Sequence, residues 1–199
     1  MCLFIESIKV SQGKPGLLEL HQERLDRTYN KFFPKATPPC LRKMIALPDN
    51  LPINIVYKCR VVYGKTIENV SYTPYVLRPV KQLKIVHADD LDYSFKYEDR
   101  KALQRLFETR GDADDVLIVK NGFVTDTSYA NVVLFHPEAG WVTPQHCLLD
   151  GVQRQYLLRQ GKIRAVPIRE EDLWDYTEAR IINAMITLEE SPATVISYQ

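Results

Sequence analysis

No stretch of the chain approaches the roughly eighteen consecutive apolar residues that span a bilayer, and the sequence holds no internal repeat or low-complexity tract. The opening Met1-Cys-Leu-Phe-Ile lacks a basic leader, and Glu6 interrupts its apolar run, which reads against a signal peptide. An excess of one charge is also missing: 26 Lys plus Arg stand against 25 Asp plus Glu, a formal net charge of +1 over 199 residues. That balance offers no broad basic field, so neither nucleic acid nor membrane is expected as a partner. Cys2, Cys40, Cys59 and Cys147 form no C-x-x-C pair and read as buried free thiols of a cytoplasmic protein rather than a disulfide framework. His21, His87, His136 and His146 form no H-x-x-x-H and meet no cysteine at zinc spacing, so no metal site is expected.

What is present suits a packed protein. The chain is 45% hydrophobic, with 11 Tyr, 7 Phe and 2 Trp, enough for a core. Residues 4–10 alternate partly and read as a strand, and the Gly- and Pro-bearing stretch 12–16 as a turn. Leu25, Tyr29, Phe32 and Phe33 recur at helical spacing over residues 20–33, where Pro34 ends the element. A short helix is expected over 41–47. β-rich runs follow at 53–63 and 66–80, with a third strand at 83–86, so the first segment reads as strand, helix, then antiparallel sheet.

A polar connector at 89–94 leads to a helix predicted over 97–109. Asn121-Gly122 between apolar runs carries the signature of a type I′ hairpin, because both turn residues need positive φ. Further strands are predicted at 131–135, 141–143, 162–168 and 181–186, with helices at 151–159 and 170–174. The fold class is α/β (α+β). A boundary near residues 87–95 divides it into an N-terminal α+β domain (1–87), a connector (88–95) and a C-terminal α/β domain (96–199).

Four local features could hold chemistry, and each has an ordinary reading beside it. Lys96, wedged in Ser94-Phe-Lys-Tyr97, is either a partly desolvated nucleophilic amine or a snorkelling surface lysine. Asp126 either anchors a cationic group or makes an Asx-turn leaving its strand. In Leu149-Asp-Gly-Val-Gln-Arg154, Gly151 could open a helix start to an anion, or Asp150 could simply cap that helix. Arg24, in His21-Gln-Glu-Arg-Leu25, would ordinarily lie on a solvated helix face.

The order of these motifs is more specific than any one of them. Ile5-Glu-Ser-Ile-Lys-Val10, Gly13-Lys-Pro15 and His21-x-x-Arg24-Leu25 come first, followed by Phe95-Lys96 with Arg100. Then come Gly122-x-Val-Thr-Asp126-x-x-x-x-Asn131, Thr143-Pro144, Leu149-x-Gly151-Val152-x-Arg154, Arg169-x-x-Asp172-Leu173 and Asn183-Ala184-Met185. Together they resemble the class IV aminotransferase family, the pyridoxal-phosphate enzymes of fold type IV, which includes branched-chain and D-amino-acid aminotransferases and 4-amino-4-deoxychorismate lyase. The lysine segment and Asn183-Ala184-Met185 are more similar to the lyase.

The resemblance implies a two-domain fold-type IV enzyme with pyridoxal 5′-phosphate between the domains, an amino-acid-like small-molecule substrate and a homodimer. It implies that Lys96 forms the Schiff base with the cofactor and serves as general base. Arg24, the N–H groups of Gly151, Val152 and Gln153, and the turn at Asn183 and Ala184 would cup the phosphate, and Asp126 would face the pyridine nitrogen. The family usually carries Glu where Asp126 stands and Thr where Gln153 stands, and typical members have a further segment before Phe4. On this resemblance a lyase eliminating pyruvate is expected ahead of an aminotransferase. A non-catalytic homologue that binds only cofactor or a partner is the alternative of another class.

Overall fold

A computed structural model describes residues 2–46, 48 and 51–197. The chain divides into two compact units of interleaved sequence. One comprises Met1–Leu77 and Phe95–Asp99, the other Arg78–Ser94 and Arg100–Gln199.

The first unit is built on strand β1 (Phe4–Ser11), whose residues Phe4, Ile5, Ile8 and Val10 are buried. Gln12 and Gly13 take φ of 50° and 70°, turning the chain into the short β2 (Lys14–Pro15). Helix α1 (Leu18–Phe32) follows, and α2 is a single turn (Leu41–Met44). The helix predicted over 41–47 is thus shorter, and Leu47 lies outside the described residues. Strands β3 (Tyr57–Tyr63) and β4 (Ile67–Pro74) complete an antiparallel sheet of order β2-β1-β3-β4, with Phe4 opposite Tyr63 and Val10 opposite Tyr57.

Its core joins Ile8, Val10, Leu25, Cys59 and Val61 to an aromatic cluster. Phe4 lies 4.8 Å from Phe32, 5.8 Å from Tyr63 and 5.3 Å from Tyr97, ring centre to ring centre. Phe95 meets Phe32 edge-on at 4.9 Å.

That cluster explains a departure from the sequence pattern. The helix predicted from residue 97 begins only at Lys101, as α3 (Lys101–Glu108). Residues 95–98 are drawn into the first unit instead: Tyr97 bridges Phe4, and the N–H of Glu98 donates to the carbonyl of Leu3 at 2.8 Å. Tertiary burial of two aromatic rings overrides a local helical preference there.

The second unit holds β5 (Gln82–His87), β6 (Asp115–Lys120), β7 (Phe123–Thr127), β8 (Asn131–His136) and β9 (Gly140–Pro144). After α4 (Val152–Arg159) come β10 (Arg164–Val166), a 3-10 turn (Glu170–Asp175), β11 (Glu178–Ile182) and β12 (Val195–Ser197). The sheet order is β10-β9-β8-β7-β6-β5-β12, with β11 paired to β8. Strand β5 runs parallel to β6 and β12 rather than joining the first antiparallel sheet, because its apolar Leu83 and Ile85 are buried in this second sheet. β6 is buried along five of its six residues, Asp115 to Val119, which matches a central strand covered on both faces. Asn121 and Gly122 adopt φ of 51° and 76°, as a type I′ turn requires. The strand predicted over 181–186 ends at Ile182, and residues 183–186 form a closed turn instead.

Among the described residues no helix is long and apolar enough to cross a membrane, and no cluster of three His, Cys, Asp or Glu side chains could hold a metal ion.

Candidate functional site

The candidate residues fall into two groups, each built within one unit. In the first unit, the buried stripe of α1 is partly polar: His21, Arg24 and Thr28 are buried alongside Leu25 and Tyr29. A buried polar row needs a partner, and it finds one in Glu6, which lies inside β1 with no solvent exposure. Arg24 Nε donates to Glu6 Oε1 at 2.9 Å and Nη2 to Oε2 at 2.5 Å, while His21 Nδ1 is 2.6 Å from Oε2.

Burial alone pushes the Glu6 carboxyl up. The Arg24 guanidinium and the His21 hydrogen bond outweigh it and hold the group at about 2. Burial holds the His21 imidazole below its ordinary value; Glu6 opposes this, and the charges of Arg24 and Lys96 add to it. The contact is therefore a neutral imidazole donating Nδ1–H to a carboxylate, which leaves Nε2 as a buried acceptor without a hydrogen-bond partner. Lys96 belongs to this unit. It is half-buried, between Phe95 and Tyr97 of the aromatic cluster, and its carbonyl accepts the Ile5 N–H at 2.9 Å. Arg24 is thus a buried residue rather than part of a solvated face, and it shares an electrostatic neighbourhood with Lys96.

In the second unit, Asp126 lies within β7 rather than in an Asx-turn, and it is 4% exposed. Its Oδ1 accepts Asn131 Nδ2 and its Oδ2 accepts the Leu149 N–H, both at 2.8 Å. Burial pushes this carboxyl up to about 6, although the Leu149 N–H, the Asn131 amide and the Arg154 charge pull the other way. The nearby Cys147 thiol is pushed up to about 12, by burial first and then by the Asp126 charge.

Helix α4 starts from Gly151, not from Asp150, and has no side-chain cap. Asp150 turns instead to Arg154 Nη1 at 3.1 Å and to the Gln155 amide. The first-turn N–H groups of Val152 and Gln153 therefore head a helix dipole behind a glycine, which brings no side chain of its own to cap them. Both side chains are buried, and the Arg154 Nε beside them is buried without a hydrogen bond. Asn183 is half-buried; its Oδ1 accepts the Met185 N–H at 2.8 Å, which shapes the turn that carries Ala184.

A profile of the amino-transferase class IV family matches residues 94–188. An uncharacterised protein of Haemophilus influenzae is 36% identical over 182 residues, 90% of this chain and 96% of its own. The chain belongs to the class IV aminotransferase family. A crystal structure from Haemophilus somnus, provisionally named a 4-amino-4-deoxychorismate lyase, is similar at a TM-score of 0.89 and 34% identity, covering 94% of this chain and 98% of that one. The pyridoxal-phosphate-bound form of a hypothetical aminotransferase from Mycobacterium tuberculosis is similar in fold at 0.75 and 18% identity, over 98% and 81% of the two chains. The class IV family is pyridoxal-phosphate-dependent, and the fold here is fold type IV.

Three residues of these groups carry no sequence expectation: Glu6, His21 and Asn131 in its bridging role. Signals for two of them exist. A glutamate inside an apolar strand and a polar row at 21, 24 and 28 on the apolar face of a helix are both marks of buried pairing. Asn131 has no such local signal, because its partners lie 5 and 18 residues away.

The chain's residues fit pyridoxal phosphate. A buried carboxylate whose ionisation is opposed by desolvation suits the N–H of a protonated ring, and a helix start at a glycine suits a phosphate.

Proposed function

We propose that the chain is a pyridoxal-phosphate-dependent lyase that releases pyruvate from 4-amino-4-deoxychorismate or a close analogue. The observation that carries this reading is the pairing, in one unit, of the buried Asp126 carboxylate with the glycine-led N-terminus of α4, joined through Asn131 and the Leu149 backbone. The lyase is favoured over an aminotransferase by the likeness to the Haemophilus somnus protein at 34% identity.

When bound, pyridoxal phosphate supplies the electron sink that acidifies an amine substrate at Cα. The Asp126 carboxylate would accept the ring N–H, and the N–H groups of Gly151, Val152 and Gln153, with Arg24 and the 183–184 turn, would hold the phosphate. Lys96 Nζ would anchor the cofactor covalently and, once a substrate amine has displaced it as a free amine, take the Cα proton. The aromatic packing of Phe95 and Tyr97 fixes the backbone from which that amine extends. The family resemblance also supports a homodimer.

The test is borohydride reduction of the cofactor-loaded protein followed by peptide mapping. A pyridoxyl group on Lys96 is expected, and its loss in Lys96→Ala together with all turnover. Pyruvate release from aminodeoxychorismate without an added amino acceptor supports the lyase. Turnover only with amino-acid and keto-acid pairs would transfer the assignment to an aminotransferase. A colourless protein with no Lys96 adduct would mark a non-catalytic homologue.

A further inference from the structure

Asn131 occupies a crossing point of the second unit. On the sheet it lies opposite Asp126 of β7 and opposite Ile182 of β11, the residue just before Asn183. Its Nδ2 donates to Asp126 Oδ1 at 2.8 Å and to the Leu149 carbonyl at 2.9 Å. Both amide protons are thereby committed. On the other side, its Oδ1 lies where Gly151 has no side chain: a Cβ built there would come within 1.9 Å of that oxygen. Gly151 has an ordinary φ of −71°, so the glycine is required by space and not by backbone conformation.

The chemistry narrows the residue type. Aspartate has no N–H to offer and would set a second negative charge 2.8 Å from Asp126. Leucine fills the volume but leaves an oxygen of Asp126 and the Leu149 carbonyl without this donor. Glutamine carries its amide one methylene too far for the close fit against Gly151.

We propose that Asn131 is the positioning residue that joins Asp126 to the turn 149–151, so that one side chain sets both the carboxylate for the ring nitrogen and the backbone for the phosphate. The inference rests on the reading of Asp126 and Gly151 as cofactor anchors. It adds that the two anchors are not independent: removing the amide releases both.

The experiment uses the full chain with and without cofactor, as wild type, Asn131→Leu and Asn131→Ala. Without cofactor, carbon-13 NMR of the aspartate carboxyls follows Asp126. The variants should titrate at higher pH than wild type, because the Nδ2 donor favours the ionised form. The charged and titratable groups facing Asp126 are Arg154 and Cys147, with the Leu148 and Leu149 N–H groups, and neither substitution alters them. With cofactor, the Kd for pyridoxal phosphate at pH 8 should rise about tenfold to a hundredfold, the loss of one or two charge-assisted hydrogen bonds.

A second measurement is a double-mutant cycle with Gly151→Ala. In wild type the new methyl meets Asn131 Oδ1, so the melting temperature should fall sharply. In the Asn131→Ala background the space is vacated and the same change should cost little. An unchanged Asp126 titration would overturn the proposal, since a residue that merely fills space would lower the melting temperature and leave that titration where it is. Additive losses in the cycle would overturn it too, because Asn131 would then not bear on Gly151. If Asn131→Leu does not fold, Asn131→Ser carries the same readouts with less volume to accommodate. If wild type binds no pyridoxal phosphate, the functional reading fails, while the titration and the cycle still decide whether Asn131 couples the two sites.

Discussion

Glu6 is a fully buried charge, and its pH behaviour follows from its partners. Its folded pKa is depressed from 4.5 to about 2, so the stability it contributes is fully present above 4.5 and is lost as the pH falls through 2. A shift of that size corresponds to about 3 kcal/mol. His21, also depressed, acts in the same direction from 6.5 downward. Denaturant unfolding followed from pH 7 to pH 2 should therefore show a continuous loss of stability. Glu6→Gln should start about 3–5 kcal/mol lower at pH 7, because Arg24 is left buried without its counter-charge. Its profile should be flatter below 4.5; parallel profiles for the two proteins would refute the assignment of the acid sensitivity to Glu6.

At the scale of elements, two glycines do different work. Gly122 sits at φ 76° with open space around it, so Gly122→Ala should cost about 1 kcal/mol from backbone strain alone, measured by urea unfolding at neutral pH. A loss several times larger would mean that the β6–β7 hairpin depends on contacts at the turn rather than on its conformation. Gly151 is the reverse case, with relaxed dihedrals and no room. The hairpin was legible in Asn121-Gly122 because a type I′ turn is a local constraint. The end of α1 was legible in Pro34 for the same reason. The late start of α3 was not, since Tyr97 obeys a bridge to Phe4, 93 residues earlier in the chain.

Across the whole molecule, no covalent link ties the strands together, since all four cysteines are free. Cys2 and Cys40 are exposed, Cys59 is buried and Cys147 half-buried, and burial pushes both inner thiols up. A thiol reagent at neutral pH should therefore modify two cysteines quickly in the native protein and the other two only on unfolding. Added reductant should leave the melting temperature unchanged; a drop would reveal a disulfide. The chain passes from the first unit to the second at Arg78, returns for Phe95–Asp99 and leaves again at Arg100. This brief return places Lys96 on the unit that holds Glu6, His21 and Arg24.

The sequence by itself determined the features that depend on neighbours along the chain: the hairpin turn, the helix stop and the ordered motifs that mark a class IV aminotransferase. Lys96, Arg24, Asp126 and Gly151 could be named from those motifs. What surrounds them was decided by tertiary structure. Glu6 became a buried anion only when α1 brought two nitrogen groups against it. Asn131 became a bridge only when β7, β11 and the turn 149–151 converged on one amide. Burial and hydrogen-bond satisfaction are set by residues distant in sequence, and local pattern carries no record of which oxygen a given N–H will meet.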